Sequence, residues 1–183
     1  MLACEIRSAT AHDMASITAI YEHFVLNTTN TLEVASPDVS EMERRRQSVL
    51  DRGLPYLVAE LDGYVVGYAY ASQFRPREGY RFTVEDSIYV RADCIGYGVG
   101  RKLLKALIAA CESSGGHRLV ACICGDNRAS VALHASQGFV RVGTIPEAGF
   151  KLGRWIDMSM MQRPLGVSKE IAMRSEAGEL QEA

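Results

Sequence analysis

Three glycines at alternate positions form the stretch of this sequence with the clearest chemical consequence. Gly96, Gly98 and Gly100 follow a run of β-branched and aromatic residues and lead into a segment with apolar residues at helical spacing. A glycine turn at a helix start leaves backbone N–H groups uncovered, and the helix dipole adds partial positive charge there. Such a turn binds phosphate groups. The sequence therefore predicts an anionic ligand that carries phosphate.

The glycine spacing differs from two common phosphate-binding motifs. A Rossmann motif needs G-x-G-x-x-G in an early strand–helix unit, whereas this loop reads G-Y-G-V-G and lies mid-chain. A Walker loop needs G-K-[ST], and Gly100 is followed by Arg101. The alternative is a plain helix start that binds nothing. Because three glycines cost more conformational entropy than a simple turn requires, ligand binding is favoured.

The remaining periodicities predict the elements that position this loop. Their order is β-α-α-β-β-β-α-β-α-β-β, with a central strand over 80–90 and a main helix from Tyr97 or Gly98 to Ser113. The connection from the central strand through this helix to a strand over 118–124 is a parallel crossover. We expect an α/β fold with a mixed sheet, as one domain over 1–165 followed by a polar tail over 166–183.

Local signals predict further details of the elements. Proline at a first helical position predicts that the second helix starts at Pro37, and the arginines 44–46 are expected to lie in solvent on it. Asp62-Gly63 predicts a tight hairpin turn. The last two strands are predicted over 139–145 and 155–162.

Longer segments of the chain resemble one enzyme family. The most specific are 81–85 (RFTVE), 98–100 (GVG), 133–134 (LH) with 138–139 (GF), and 153–157 (GRWID). They resemble the GNAT acetyl-CoA-dependent N-acetyltransferases, closest to the phosphinothricin and methionine sulfoximine acetyltransferases. The resemblance runs from about residue 5 to about residue 164. It implies the GNAT fold, a mixed and mostly antiparallel sheet of about seven strands with a splayed parallel pair, flanked by about four helices.

The resemblance implies that acetyl-CoA, the acetyl donor, lies in the gap between the two splayed strands. The backbone at the end of the central strand is expected to pair with the pantetheine arm, and the glycine loop to hold the pyrophosphate. The expected cofactor-binding residues are Ile88, Tyr89, Val90, Gly96, Tyr97, Gly98, Val99, Gly100, Arg101 and Asn127. The chain departs from the family at Ile95, where Gln or Arg is usual, so we expect weaker acetyl-CoA binding than the family average.

Acetyl transfer needs a neutral amine, a stabilised thioester oxygen and a proton for the departing thiolate. By the resemblance, Glu85 on the central strand is the catalytic general base; its alternative is an outward-facing strand carboxylate. Asp86 is adjacent and is expected to point to the other face. His134 is expected on the same helix face as Asn127, where many relatives carry a tyrosine as acid to the thiolate. Its catalytic or orienting role and a purely structural role both stay open.

The loop from Phe74 resembles the substrate loop of this branch. Because arginine binds carboxylates bidentately, Arg75 and Arg77 are predicted to hold the carboxylate of an amino-acid analogue. Tyr80 and Phe82 are expected to form walls of the substrate pocket, which also includes Phe74. Two solvated loop arginines are the alternative.

Composition limits the class of protein. The chain has 183 residues, a net charge of −2 and no long apolar run, so neither nucleic acid nor a membrane is expected as partner. Five cysteines without C-x-x-C spacing predict reduced core thiols in a cytoplasmic protein, and no metal site is expected. The first residues lack the pattern of a signal peptide.

These observations predict an acetyl-CoA-dependent N-acetyltransferase that acts by direct transfer with a general base. Its expected substrate is the α-amino group of a small amino-acid analogue of the phosphinothricin, methionine sulfoximine or methionine sulfone type. A homodimer is expected because relatives form one. One alternative is an acetyltransferase for a polyamine, an aminoglycoside or a protein N-terminus, and another is a non-catalytic acyl-CoA-binding module. Arg75 and Arg77 disfavour a cationic substrate, whose pocket would need acidic residues.

Overall fold

The computed structural model describes residues 4–166 of the chain. The predicted polar tail therefore lies outside the described residues, apart from Gly166. The elements, in chain order, are β1 Glu5–Ser8, α1 Met14–Asn27, α2 Val39–Leu50, β2 Tyr56–Leu61, β3 Tyr64–Gln73, β4 Thr83–Val90, α3 Val99–Ser113, β5 Arg118–Cys124, α4 Arg128–Ala135, β6 Val140–Lys151 and β7 Arg154–Pro164. Within 4–166 this is the order of strands and helices that the sequence predicts.

The strands form a single mixed sheet whose order is β1-β2-β3-β4-β5-β7-β6. In the described part of the chain only β4 and β5 pair in parallel; the other neighbours are antiparallel. The parallel ladder runs from Thr83 opposite Arg118 to Asp86 opposite Ala121. Beyond this point β4 stays paired with β3 and β5 with β7, so the two strands diverge. The predicted splayed pair is confirmed.

Each face of the sheet carries its own hydrophobic core. One core is formed with α3, and the other with α1 and α2. Successive β4 side chains alternate between the two cores, since Val84 packs with α3 and Tyr89 packs against the α1 and α2 core. Glu85 therefore points to the side of α1, and Asp86 to the side of α3.

The start of α2 differs from the prediction. The helix begins at Val39 rather than at Pro37, because Asp38 is its N-cap. The Asp38 carboxylate accepts a hydrogen bond from the backbone N–H of Glu41 at 2.8 Å. An aspartate cap satisfies an otherwise unpaired N–H group, which a proline two residues earlier cannot do.

The arginine run on α2 does not lie wholly in solvent. Arg44 is exposed, as expected, but Arg46 is buried. The Arg46 guanidinium donates to the carboxylate of Glu43 at 2.7 Å and to the carbonyl oxygen of Ala9 at 3.2 Å. The prediction was wrong for Arg46 because a long side chain with a fork of donors can cover apolar surface and still satisfy its charge.

The β6–β7 hairpin is longer than the sequence predicts. The ladder continues past Ile145 through an irregularity before Gly149, and the strand ends at Lys151. Glu147 within this irregularity has a φ of 51°. Pro146 and Gly149 are typical loop residues, but here Pro146 lies in a bulge of a continuing strand and Gly149 pairs with Ile156 after it.

Tyr68 gives a test of the core beside α1. Its ring is fully buried, and its hydroxyl has no hydrogen-bond partner among residues 4–166. Burying an unpaired polar group is unfavourable, so Tyr68→Phe should raise the free energy of unfolding by about 1 kcal/mol. Urea denaturation followed by circular dichroism measures this change.

Tyr21→Phe is the matched control for this prediction. The Tyr21 hydroxyl is hydrogen-bonded to Thr31 at 3.1 Å, so its removal should lower the free energy of unfolding by about 1 kcal/mol. If both variants were destabilised equally, the Tyr68 hydroxyl would have a partner such as buried water, and the prediction would be wrong.

Candidate active site

The divergence of β4 and β5 opens a cavity of about 230 Å³ between the two strands. Its walls come from both strands, from the end of α1 and from α4. The lining of this cavity brings together five residues of the predicted site: Glu85, Ile88, Tyr89, Asn127 and His134. Asp86 also lines it, so two adjacent carboxylates that point to opposite faces of the sheet reach the same gap.

Glu85 is a half-buried carboxyl group on the α1 side of this gap. Burial raises the pKa of Glu85 above its usual value, and the negative charge of Asp86 adds to this rise. A hydrogen bond from the Cys122 thiol and the positive charge of Arg75 act in the opposite direction. The net rise makes Glu85 a better proton acceptor than an ordinary glutamate when it is ionised.

The His134 ring uses both of its nitrogens within the protein. Nδ1 lies 2.7 Å from the carbonyl oxygen of Ser130, and Nε2 lies 2.9 Å from Oδ2 of Asp86. Because a carbonyl oxygen only accepts hydrogen bonds, Nδ1 carries a proton. The Phe139 ring packs edge-on against the imidazole, with centroids 4.9 Å apart.

The environment of His134 favours its charged form. Burial alone would lower the pKa of His134, but the hydrogen bond and charge of Asp86, with the carbonyl of Ser130, raise it above its usual value overall. A protonated His134 beside Asp86 forms a buried ion pair in which both partners are almost inaccessible to solvent.

The glycine loop has two kinds of glycine. Gly96 and Gly98 have φ values of 90° and 80°, which only glycine adopts easily, and Gly98 is the N-cap of α3. Gly100 lies close to α4, since a Cβ there would be 3.3 Å from Cδ2 of Leu133, a tight contact. The Lys102 N–H donates to the Gly98 carbonyl at 3.1 Å. The N–H groups of the α3 residues before Lys102 lie outside the hydrogen-bond ladder of the helix.

Side chains beside this loop point into solvent. Ile95 is 61% exposed and Tyr97 is 80% exposed, and Arg101 in the first turn of α3 is also exposed. An anion at the loop would therefore meet backbone N–H groups and the helix dipole first, as the sequence predicts. The helix begins at Val99, one or two residues later than expected.

Asn127 caps α4 with its side chain, which accepts a hydrogen bond from the N–H of Ser130 at 3.0 Å. The same residue lines the cavity between the strands. Capping and ligand contact are therefore compatible at this position, and ligand contact stays a prediction.

The predicted substrate loop lies outside the cavity. None of its five predicted residues lines the gap between β4 and β5 in the described chain; they are Phe74, Arg75, Arg77, Tyr80 and Phe82. The Arg75 guanidinium instead lies 4.2 Å from the centroid of the Phe74 ring and donates to the Phe74 carbonyl at 2.8 Å. Arg75 is nevertheless close enough for its charge to act on Glu85. A substrate role for this loop stays a prediction.

Two parts of the cavity wall were missed from the sequence. Thr31 and Leu32 come from the connection between α1 and α2, which has no periodic signal. Cys122 and Cys124 on β5 also line the cavity, and the contact between Cys122 and Glu85 could not be foreseen from the sequence. Burial and the adjacent Glu85 carboxylate raise the pKa of Cys122 to about 12, so this thiol stays protonated and acts as a donor.

Within residues 4–166, no group of three or more His, Cys, Asp or Glu side chains is arranged to hold a metal ion. No helix there has the length and apolar character to cross a membrane.

Comparison with known proteins gives a consistent result. The sequence profile described as "Acetyltransferase (GNAT) domain" matches residues 6–160. A phosphinothricin N-acetyltransferase from Alcaligenes faecalis is 53% identical over 165 residues, covering 89% of this chain and 83% of that protein. An L-methionine sulfoximine/L-methionine sulfone acetyltransferase from Pseudomonas paraeruginosa is 41% identical over 162 residues, covering 88% of this chain and 94% of that protein.

A solved structure resembles the fold over nearly the same range. It is a GNAT superfamily phosphinothricin acetyltransferase from Sinorhizobium meliloti in complex with acetyl-CoA. The two structures superpose with a TM-score of 0.89 at 44% sequence identity, and the match covers 91% of each chain.

The contact between Cys122 and Glu85 can be tested without a ligand. The thiol hydrogen bond lowers the pKa of Glu85 against the effect of burial, so Cys122→Ala should raise this pKa further. An NMR titration of the Glu85 side-chain carboxyl carbon, assigned with Glu85→Gln, measures it. Cys122→Ser is the matched control, because it keeps a donor of similar size. An unchanged pKa in Cys122→Ala would show that the thiol does not bond to the carboxylate.

Proposed function

The chain belongs to the GNAT acetyltransferase family, and we propose that it transfers the acetyl group of acetyl-CoA to the α-amino group of a small amino-acid analogue. The proposed substrates are of the phosphinothricin, methionine sulfoximine or methionine sulfone type. The observation that carries this proposal is the match to relatives with these activities in their names, at 53% and 41% identity over most of each protein. The carboxyl group in the gap between β4 and β5 adds a chemical reason.

Two features of the chain fit acetyl-CoA. Beyond Asp86, β4 is no longer paired with β5. The backbone groups on the edge of β4 that faces the gap are therefore available to the extended pantetheine arm. Gly96 and Gly98 leave open space over the start of α3, where a pyrophosphate would meet uncovered N–H groups. We propose that the backbone of Ile88–Val90 and of 96–101 holds these two parts. When bound, acetyl-CoA supplies the acetyl group as an activated thioester.

Glu85 is proposed as the general base. An amino group reacts as a nucleophile only when it is neutral, so a proton must leave the substrate ammonium or the amine as it attacks. The Glu85 carboxylate can take this proton directly or through a water. Since burial raises its pKa, Glu85 loses this capacity as the pH falls through the raised value.

The substrate carboxylate is proposed to bind the two loop arginines, Arg75 and Arg77. Both side chains are exposed, and their guanidinium groups can bind a carboxylate bidentately. The charge of Arg75 acts on Glu85, which supports a position of the loop near the proposed general base.

We also propose that the protein is a cytoplasmic homodimer. Several large apolar side chains on the β6–β7 hairpin are exposed, with Val140 and Trp155 both at 60%. An apolar surface of this kind usually belongs to an interface. The five cysteines are free thiols, which suits a reducing compartment.

The activity is tested by thiol release from acetyl-CoA with phosphinothricin, methionine sulfoximine, spermidine and a peptide with a free N-terminus. Turnover should be confined to the two amino-acid analogues, and Glu85→Gln should lower kcat/KM by about 100-fold or more because the proton acceptor is lost. Turnover on spermidine or the peptide instead would reject the substrate class. Binding of acetyl-CoA without turnover on any amine would favour a non-catalytic binding module.

The substrate loop is tested with Arg75→Gln. Losing one charge-assisted contact should raise KM for phosphinothricin by about tenfold and leave KM for acetyl-CoA unchanged. Steady-state kinetics with each substrate varied in turn measures this difference. Arg44→Gln, on the exposed face of α2, is the matched control for loss of one positive charge. Equal effects of the two substitutions would reject a specific role for Arg75.

A further inference from the structure

One wall of the gap comes from a segment that is neither helix nor strand. This segment, residues 29–32, follows α1, and its members Asn30, Thr31 and Leu32 line the cavity. It lies beside α1, on the side of the sheet to which Glu85 points. Because Glu85 is the proposed general base, the segment borders the space in which an amine would meet the acetyl group. We call residues 29–32 the acceptor wall.

The end of β6 contacts the acceptor wall with one face of the strand. Gly149 and Lys151 are two positions apart and point to the same side, whereas Phe150 between them is exposed on the other side. The Leu32 side chain lies so close to Gly149 that a Cβ there would be 2.6 Å from Cδ1 of Leu32. The place of Leu32 in the wall therefore depends on the missing side chain at position 149.

Lys151 holds the same wall with a buried charge. The residue is only 3% exposed, and its ammonium group donates to the carbonyl oxygen of Thr31 at 2.8 Å and to that of Phe24 at 3.4 Å. Phe24 lies in the last turn of α1, where the helix dipole favours a positive charge. Phe24 and Thr31 both line the cavity, so one ammonium group joins two residues of the gap.

The charge of Lys151 is unfavourable in this place unless its contacts compensate for it. Burial lowers the pKa of Lys151 below its usual value, and electrostatic interactions with Cys124 and Glu33 oppose this effect. Burying an ammonium group costs free energy, which an uncharged side chain of similar length, such as methionine, would avoid. The charge is therefore better explained by the two carbonyl groups that it holds than by packing alone.

Other side chains hold the acceptor wall from different directions. The Thr31 hydroxyl is hydrogen-bonded to the hydroxyl of Tyr21 on α1 at 3.1 Å. Arg154, which pairs with Lys151 across the β6–β7 hairpin, lies 3.5 Å from the hydroxyl oxygen of Thr29. Since residues 29–32 belong to no helix or strand, the shape of the wall depends on such side-chain contacts.

We propose that Gly149 and Lys151 are positioning residues that hold the acceptor wall at the gap, and that the fit of the amine substrate depends on them. The inference rests on the proposed function in naming an amine as the molecule bound beside this wall. Acetyl-CoA, whose proposed contacts are the backbone of β4 and the glycine loop, depends on neither residue.

Lys151→Met removes the charge and the donors but keeps the length of the side chain. KM for phosphinothricin should rise by about tenfold, the loss expected from one charge-assisted hydrogen bond, whereas KM for acetyl-CoA should change by less than about twofold. Steady-state kinetics with each substrate varied in turn measures both values. Lys105→Met, on the exposed side of α3, is the matched control for loss of one lysine charge.

Gly149→Ala tests the same wall without a change of charge. The added methyl group must displace the flexible end of the Leu32 side chain, so the fold should persist. KM for phosphinothricin should again rise by about tenfold, the scale of one methyl group in an apolar pocket. Gly143→Ala on the same strand is the matched control, because a Cβ there would have no heavy atom within 4 Å. If circular dichroism showed that Lys151→Met does not fold, Gly149→Ala would decide.

The pattern of the two KM values separates positioning from a general loss of structure. A rise for phosphinothricin alone, in both variants and in neither control, supports the proposal. An unchanged KM for phosphinothricin in either folded variant would overturn it. An equal rise for both substrates would also overturn it, because a disturbance of the whole fold would produce that result.

Amide hydrogen exchange provides a readout that needs no substrate. Exchange measured by mass spectrometry on a peptide that contains residues 29–32 should be faster in Lys151→Met than in the wild type, because the wall loses a contact. If the wild type acetylated no amine, the proposed function would fail, and faster exchange in the variant would still show that Lys151 holds the wall. Unchanged exchange would overturn the inference whether or not the wild type is active.

Discussion

The site depends on one departure from regular sheet geometry, the parting of β4 from β5. Backbone N–H and carbonyl groups inside a protein are nearly always paired, and a central strand that loses one neighbour leaves a row of them uncovered. Here the ladder stops at Asp86 and Ala121, while β4 stays fixed by β3 and β5 by β7. Each strand that borders the gap therefore keeps a hydrogen-bonded neighbour on its other edge. An extended ligand backbone can replace the missing strand, as in peptide recognition by strand addition.

The electrostatics of the gap follow from which neighbour each carboxylate meets. Asp86 faces α4 and lies 2.9 Å from the imidazole of His134, which raises the pKa of that ring. Glu85 faces the other side and meets a thiol, Cys122, with the Arg75 charge acting from the loop. Two adjacent residues on one strand thus have different environments, and the Glu85 carboxyl group, with its pKa raised by burial, lines the gap. Neighbouring acids with different roles are typical of sites that transfer protons.

The elements could largely be predicted from the sequence, because periodicity reports on burial. Strand alternation and helical spacing predicted the order of elements, and the three glycines predicted a turn before α3. The predictions were wrong where a tertiary contact determines the burial of a side chain or the end of a strand. Arg46 is buried because Glu43 and the Ala9 carbonyl satisfy its guanidinium, and the β6 strand continues because a bulge accommodates Pro146. Glu43 could be expected from its i,i+3 spacing, but the contact of Arg46 with the Ala9 carbonyl and the bulge at Pro146 are not visible in local spacing.

The candidate site was predicted less completely, for a reason that Asp86 illustrates. Strand alternation correctly places Asp86 on the face opposite Glu85, and on an ordinary strand that removes it from the site. The rule assumes that a sheet separates its two faces, and a sheet with parted strands does not. His134 was identified from its position on α4, but its role depends on the two partners that occupy its nitrogens. Both ring nitrogens have partners within the protein, which spacing along the helix does not reveal, and the choice between a catalytic and an orienting role for His134 stays a prediction.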